Sequence, residues 1–487
     1  MSDVASFDRL FIGGEWVAPA TSDRFDVTNP ATEKVIASAP AGSPEDMDSA
    51  VAAARSAFDD GPWPHLPAAE RADAMQRVLD GIMARSNELA ELITAEMGAP
   101  LLFSHLAQVG ATGMVLDYFV NLTRSYPFEE VRPGFLGPAL VRREPVGVCA
   151  GIIPWNVPLF IAMLKLGPAL ASGSTIVLKP APETPLSALV LAQIIDEADL
   201  PAGVVNVVPG GREAGEHLVT AAGVDKVSFT GSTLAGRRIG ALCGERLRRC
   251  TLELGGKSAA IILDDADLAT TLPALLPNAV MNNGQACVAQ TRILASRARY
   301  DEIVDAITEA TRSMVVGDPA DMSTEIGPLV AERQRERVEG YIAQGLHEGA
   351  RITTGGGRPD LPGYFVDPTV FADVDNSMTI AREEIFGPVI SVIAYDDPAD
   401  AVRIANDSDY GLCGTVWTAD VEGGIDIARA VRTGTYTVNG FAMEWSAPFG
   451  GFKNSGVGRE LGPEGLGAYL EAKTINLPNG HEPILKY

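Results

Sequence analysis

From Val146 onward, short apolar runs alternate with amphipathic stretches. Strand-like runs fall at 146–153, 175–178, 203–208 and 227–229. Helix-like stretches lie between them at 159–171, 186–198 and 213–222, and a further helix is predicted after Thr230-Gly231-Ser232. Buried strands alternating with helices imply a parallel sheet covered on both faces. Right-handed crossovers then give an α/β, doubly wound domain, which binds ligands at the carboxyl ends of its strands. Trp155-Asn156, Lys179 and Gly231-Ser232 each stand just after a predicted strand.

After Gly256 a second alternating region begins, with strand-like 259–263, a helical 277–281 region and strand-like 389–394. Residues 45–121 read as mostly helical, for example 44–58, with acidic residues in its first turn, and 68–84. Three prolines in 126–143 mark an extended excursion between this helical part and the first sheet. The stretch 146–164 carries no charge and has the length of a membrane span. Pro154 and Pro158 interrupt it around Trp155-Asn156, so a buried strand, a turn and a helix are expected instead. No internal repeat is present.

Composition narrows the function. The 487 residues are 46% hydrophobic, too many for one ordinary core and too apolar for disorder. The net charge of −25 is spread along the chain, which argues against nucleic acid or an anionic membrane surface as partner. Five cysteines without a CxxC pair fit a reducing cytoplasm. Five scattered histidines without HExxH argue against a metal site. Met1-Ser2-Asp3-Val4 has neither the basic nor the apolar region of a signal peptide.

Several short segments then carry candidate chemistry. Cys287, in Asn282-Asn283-Gly284-Gln285-Ala286-Cys287-Val288, is a candidate nucleophile; Glu253, in Thr251-Leu252-Glu253-Leu254-Gly255-Gly256-Lys257, is a candidate base. Alone, the pair reads more readily as a buried thiol and a solvated strand-end charge. Asn156 could donate to a developing oxyanion. Gly231-Ser232 could present helix N-terminal N–H groups to a phosphate, although the GxGxxG fingerprint is absent. Lys179 could hold ribose hydroxyls or a phosphate. Glu384 beside Phe386 offers a carboxylate and a ring for a nucleoside.

Taken in order, Pro154-Trp155-Asn156, Lys179-Pro180-Ala181, Phe229-Thr230-Gly231-Ser232-Thr233, Leu252-Glu253-Leu254-Gly255-Gly256-Lys257, Gly284-Gln285-Ala286-Cys287, Glu384-Ile385-Phe386-Gly387-Pro388 and Pro448-Phe449-Gly450-Gly451-Phe452-Lys453-Asn454-Ser455-Gly456 resemble the NAD(P)-dependent aldehyde dehydrogenase superfamily. The match covers nearly the whole chain. It is identified with the hydrolytic, non-acylating branch, and even Phe11-Ile12-Gly13-Gly14-Glu15-Trp16 looks like the family's first hairpin.

The resemblance implies two doubly wound domains and a small β oligomerisation arm. A cofactor domain would span 1–121 and 146–255, returning at about 455–468, with a catalytic domain at 256–454 and an arm from 122–145 and 469–487. Arm strands exposed in one chain need covering, so a homodimer or homotetramer is expected. Cys287 would be the nucleophile, Asn156 and the Cys287 N–H the oxyanion hole, and Glu253 the base for the deacylating water. Glu460 matches a glutamate implicated in proton relay in part of the family. The cofactor, NAD with NADP as an alternative, would lie against Ile152, Pro154, Trp155, Asn156, Lys179, Pro182, Gly211, Phe229, Thr230, Gly231, Ser232, Leu254, Gly255, Glu384 and Phe386. Val157, Ile161, Leu164, Met281, Val288 and Met443 would line an apolar aldehyde tunnel, favouring aliphatic, terpenoid or aromatic aldehydes.

One position departs from the family. Many NAD-preferring members carry a glutamate three residues after the lysine, where this chain has Pro182 and then Glu183. Strict NAD preference is therefore not implied. Transfer of the thioester to coenzyme A is the alternative within the family, and Glu253 argues against it. A cysteine hydrolase would need a histidine partner for Cys287, and a purely structural or binding protein would need neither Cys287 nor Glu253.

Overall fold

The computed structural model describes residues 6–485. The opening Met1-Ser2-Asp3-Val4, on which the leader expectation rests, and the last two positions of the expected arm lie outside the described residues. The rhythm read from Val146 builds an eight-stranded sheet. Its parallel core runs in the spatial order Val205–Val207, Thr175–Lys179, Val148–Ile152, Lys226–Thr230, Arg249–Glu253. The hairpin Leu10–Ile12 and Glu15–Val17 adds antiparallel strands at one edge, and Gly456–Val457 pairs antiparallel at the other.

The order fixes where a ligand can sit. From Val148–Ile152 the chain winds outward through two strands, then returns to the opposite side at Lys226–Thr230. The switch point therefore lies between these two strands, and a crevice opens at their carboxyl ends. In register, Ile152 pairs with Lys179 and with Phe229, and Thr230 pairs with Glu253. That alignment sets Lys179, Gly231 and Glu253 along one edge. The uncharged 146–164 stretch is strand, turn and helix; the helix Pro158–Ser172 is buried along its whole length. Among the described residues no helix is long and apolar enough to cross a membrane.

A second, seven-stranded sheet follows, in the order Arg351–Thr354, Thr369–Ala372, Val389–Tyr395, Arg292–Ser296, Ala259–Ile262, Cys413–Trp417, Thr435–Val438, all parallel except the first. Five residues, Leu254-Gly255-Gly256-Lys257-Ser258, carry the chain from the first sheet to the second, and it returns from Thr435–Val438 to Gly456–Val457. A third sheet of three antiparallel strands combines Glu129–Arg132, Ala139–Pro145 and Leu470–Asn476.

Several boundaries move for physical reasons. The helix before the arm runs Ala111–Ser125, because Val115, Leu116, Phe119 and Val120 keep an apolar face buried until Pro127. The helical region expected at 277–281 is the end of Leu268–Ala279, capped by Asp267, with a separate short turn at Met281–Gly284. A π-helical segment, Ser104–Gly110, was not expected; such segments insert a residue and re-aim a side chain. Here Gln108 is aimed at the Asn156 turn.

Candidate active site

Cys287 sits on a loop whose shape is set by three successive left-handed residues, Asn282 (φ 54°), Asn283 (φ 62°) and Gly284 (φ 74°). Asparagine tolerates this region better than most residues. At Gly284 a Cβ would lie 2.1 Å from the Gly387 carbonyl, so only glycine fits. The asparagine side chains tie the turn down. Asn283 donates to the carbonyls of Gly98 (2.9 Å) and Pro328 (2.8 Å) and accepts from the Gly327 N–H. Gln285 accepts from the Val330 N–H at 3.0 Å. Close approach of the inter-sheet link completes the loop: a Cβ on Gly256 would stand 2.2 Å from the Cys287 carbonyl.

Asn156 is held against the same loop. Its amide donates to the Gln285 carbonyl (2.8 Å), and its own carbonyl accepts from Asn282 (2.9 Å) and Gln108 (3.1 Å). The amide has a second N–H, which leaves it one donor for another group. A cavity of about 210 Å³ opens beside it, lined by Pro154, Trp155, Asn156, Thr230, Gly231, Ser232, Leu254, Gly255, Cys287, Gln334, Arg337, Glu384 and Phe386. Eleven expected residues thus share one cavity, and Gln334 and Arg337 join them unforeseen. Trp155 and Phe386 meet edge to face, 5.4 Å apart at 82°.

Glu384 accepts from the Gly256 N–H at 2.9 Å, and burial raises its carboxyl to about 7. Gly255 makes room for it, since a Cβ there would fall 2.6 Å from Glu384 Oε2. Arg337 holds the backbone behind it by donating to the Glu384 carbonyl at 2.7 Å. Ser232 caps the helix Thr233–Glu245, its hydroxyl accepting from Ala235 N–H, and so stands at the positive end of that helix.

Ile152, Lys179, Pro182 and Gly211 do not line this cavity. Lys179 is buried and donates to the carbonyls of Gly210 (2.6 Å) and Pro180 (3.1 Å), beside Gly211; burial lowers its amine to about 8. Pro182 is half-buried, and the neighbouring Glu183 is taken up in an ion pair with Arg333. Phe229 packs in the sheet, its ring beneath Gly231.

Behind Cys287 lies a group of buried charges. Glu253 is buried and neither carboxylate oxygen has a hydrogen-bond partner among the described residues. Burial, and then the negative charge of Glu460, push its carboxyl well above the ordinary range. Glu460 accepts from Lys165 at 2.5 Å and from Ser228 at 3.3 Å. Lys165 was missed from sequence. The available signal was a lone cation in an otherwise apolar helix, which demands a buried partner. Cys287 itself is pushed up to about 12 by burial, then by Glu384 and Glu253, while the N–H groups of Cys287 and Val288 oppose the shift.

Ile161, Leu164 and Val288 are buried in the same apolar cluster as Cys287, and Val157, Met281 and Met443 pack against it half-buried. Phe160, Phe441 and Trp445 belong to that cluster too and were not foreseen; Phe160 and Trp445 meet edge to face at 6.0 Å. Among the described residues no group of three or more histidine, cysteine or acidic side chains is placed to hold a metal ion.

A half-buried thiol, an amide donor fixed on its loop and a buried acid thus gather at a switch-point crevice. The profile of the aldehyde dehydrogenase family matches residues 16–475. Geranial dehydrogenase of Castellaniella defragrans is 48% identical over 470 residues, covering 96% of this chain and 98% of that protein. An aldehyde dehydrogenase of Mycobacterium tuberculosis, solved with NAD+, is 50% identical with a TM-score of 0.97, covering 99% of this chain and all of that one. Aldehyde dehydrogenase C of Pseudomonas syringae, solved with NAD+ and octanal, is 41% identical with a TM-score of 0.94, covering 98% of this chain and 97% of that one. The chain belongs to the aldehyde dehydrogenase family.

Proposed function

We propose that this NAD-dependent aldehyde dehydrogenase oxidises an apolar aldehyde to its carboxylic acid, with the reaction carried on Cys287. The observation that carries the reading is the joint placement of Cys287, the Asn156 amide and the buried Glu253 around one crevice. The Cys287 thiol gives its proton to solvent, and its sulfur adds to the aldehyde carbonyl to form a thiohemiacetal oxyanion. The free Asn156 N–H and the loop backbone N–H groups stabilise its oxyanion. When bound, NAD would supply the hydride acceptor, and loss of hydride from the thiohemiacetal carbon leaves a thioester on Cys287. Glu253 then takes a proton from water as that water attacks the thioester. Its raised carboxyl suits a base that must take up a proton and release it again. Glu460, fixed by Lys165, supplies the next proton position behind it.

The crevice fits the dinucleotide. Trp155 and Phe386 offer ring surface, Glu384 a buried carboxylate for ribose hydroxyls, and Ser232 a helix N-terminus for the pyrophosphate. Lys179, beside Gly211 and Pro182, would face the adenosine ribose. Because Glu183 is held by Arg333, no carboxylate replaces the one absent at Pro182, which supports acceptance of NADP as well. An apolar substrate is supported by the cluster around Val157, Ile161, Leu164, Met281, Val288 and Met443, and by the geranial and octanal relatives. We further assign 1–121 and 146–255, with the return near 455–468, to cofactor binding, 256–454 to catalysis, and the three-stranded arm to self-association in the cytoplasm.

The test crosses a panel of aldehydes with both cofactors and follows reduced-cofactor formation. Geranial, octanal and benzaldehyde should give higher kcat/KM than betaine aldehyde or succinic semialdehyde. A charged aldehyde at the top of the ranking would overturn the substrate assignment.

A further inference from the structure

Two thiols remote from the proposed reaction face each other across the first sheet and its covering helix. The helix Thr233–Glu245 packs antiparallel to the strand Arg249–Glu253, and two glycines report the register. A Cβ on Gly236 would meet Leu254 at 2.3 Å, and one on Gly240 would meet Leu252 at 3.4 Å. Four residues along the helix therefore match two along the strand in reverse. Beyond Gly240 the inward side of the helix continues with Cys243, which is buried in one apolar cluster with Leu252 and Leu254, and Cys250 packs against that cluster; Gly244 is exposed.

Strand alternation agrees. Cys250 pairs with Val227 and shares with Leu252 the face that the helix covers, whereas Lys226 and Thr251 point to the other face and bond there at 2.8 Å. The chain between the thiols is tight. Leu247 turns it in the left-handed region (φ 53°), and Arg248 N–H returns to the Cys243 carbonyl at 2.9 Å. The two cysteines thus meet in one packed cluster between helix and sheet.

We propose that Cys243 and Cys250 are a reversible dithiol–disulfide site oxidised by peroxides. Their chemistry is divided. Cys243 is buried and Cys250 half-buried, so a small oxidant meets Cys250 first. The hydrogen bond from Cys243, and then Lys226, draw the Cys250 thiol down, and the Cys243 thiol rises correspondingly. A lowered, partly accessible thiol beside a second cysteine is the arrangement of an attacking and a resolving pair. The Cys250 thiolate attacks a peroxide oxygen, the O–O bond breaks, and a sulfenic acid and one water result. The Cys243 sulfur then attacks the Cys250 sulfur. The hydroxyl leaves with the Cys243 proton as a second water. Two thiols lose two electrons, and the peroxide gains them.

The test treats the full enzyme with a small molar excess of hydrogen peroxide, blocks remaining thiols with iodoacetamide under denaturing conditions, and maps peptides without reduction. A Cys243–Cys250 linked peptide should appear, lighter by two hydrogens and absent after dithiothreitol. In Cys243→Ala, Cys250 should instead be trapped by dimedone as a sulfenic acid. In Cys250→Ser, Cys243 should stay alkylatable. If both cysteines of the unaltered protein remain fully alkylated when Cys287 is already oxidised, the site does not exist. The same holds if Cys250 passes to the sulfinic acid with no linked peptide.

Discussion

Among the described residues Glu253 has no hydrogen-bond partner for either oxygen, and burial, then the charge of Glu460, raises its carboxyl. Glu253→Gln keeps shape but cannot accept a proton. It should release about one reduced cofactor per site in a burst, then turn over about 10²–10⁴-fold more slowly. Mass spectrometry should find an acyl adduct on Cys287; no burst and no adduct would place Glu253 before the thioester. Asn156→Ala removes an oxyanion donor and should cost about 2.7–4 kcal/mol of transition-state stabilisation, read from kcat/KM. A thiol pushed up to about 12 is almost wholly protonated at neutral pH. Alkylation of Cys287 by iodoacetamide, in enzyme without cofactor, should therefore rise about tenfold per pH unit from 7 to 10. A plateau by pH 9 would show a lower thiol. At this scale the sequence marked Cys287, Glu253 and Asn156 because each stands in a distinctive local motif. It did not mark Lys165 or Gln108, whose partners lie 295 and 48 residues away.

Elements carry the site by their ends. Glu96, buried at the end of the helix Ser86–Met97, accepts from the Leu186 and Ser187 N–H groups that open the helix Leu186–Glu197. Glu96→Ala would strand two buried donors at about 1–3 kcal/mol each, measured by denaturant unfolding. Burial raises Glu96 and Glu384 to about 7 from an ordinary 4.5. Each then binds more protons folded than unfolded between about pH 4.5 and 7. Their contribution to stability is full at the acid end of that window and falls as pH rises through it. A stability curve for Glu384→Gln should lose part of that slope; an unchanged slope would mean that Glu384 ionises normally. Placing Glu at Pro182 should weaken NADP more than NAD through like-charge repulsion, seen in the KM ratio. Helix 68–84 was legible to the residue, since its apolar spacing is regular. The π-helical Ser104–Gly110 and the left-handed Asn282-Asn283 turn were not, because no local pattern announces backbone held in place by distant partners.

For the whole molecule, alternation of strand and helix disclosed four parallel strands of the first sheet but neither their spatial order nor Arg249–Glu253, and the return near Gly456–Val457 was implied only by the family resemblance. The arm leaves residues 472–476 of its outer strand exposed, along with Phe135 and Leu136 in the loop before Ala139–Pro145. Such an edge needs a partner. Light scattering on a sizing column should give twice or four times the chain mass; a monomer at micromolar concentration would remove the arm's assigned role. The short link Leu254-Gly255-Gly256-Lys257-Ser258 bears on motion as well. It leaves the first sheet at Glu253, passes under the Cys287 carbonyl at Gly256 and enters the second sheet at Ala259. Glu253, the proposed base, thus rides on one sheet and the Cys287 loop leads into the other, with the short link between them. Any swing that widened the cofactor groove would also part the base from the sulfur. On the proposed chemistry, admission of dinucleotide and readiness for hydrolysis would then be geared to a single coordinate.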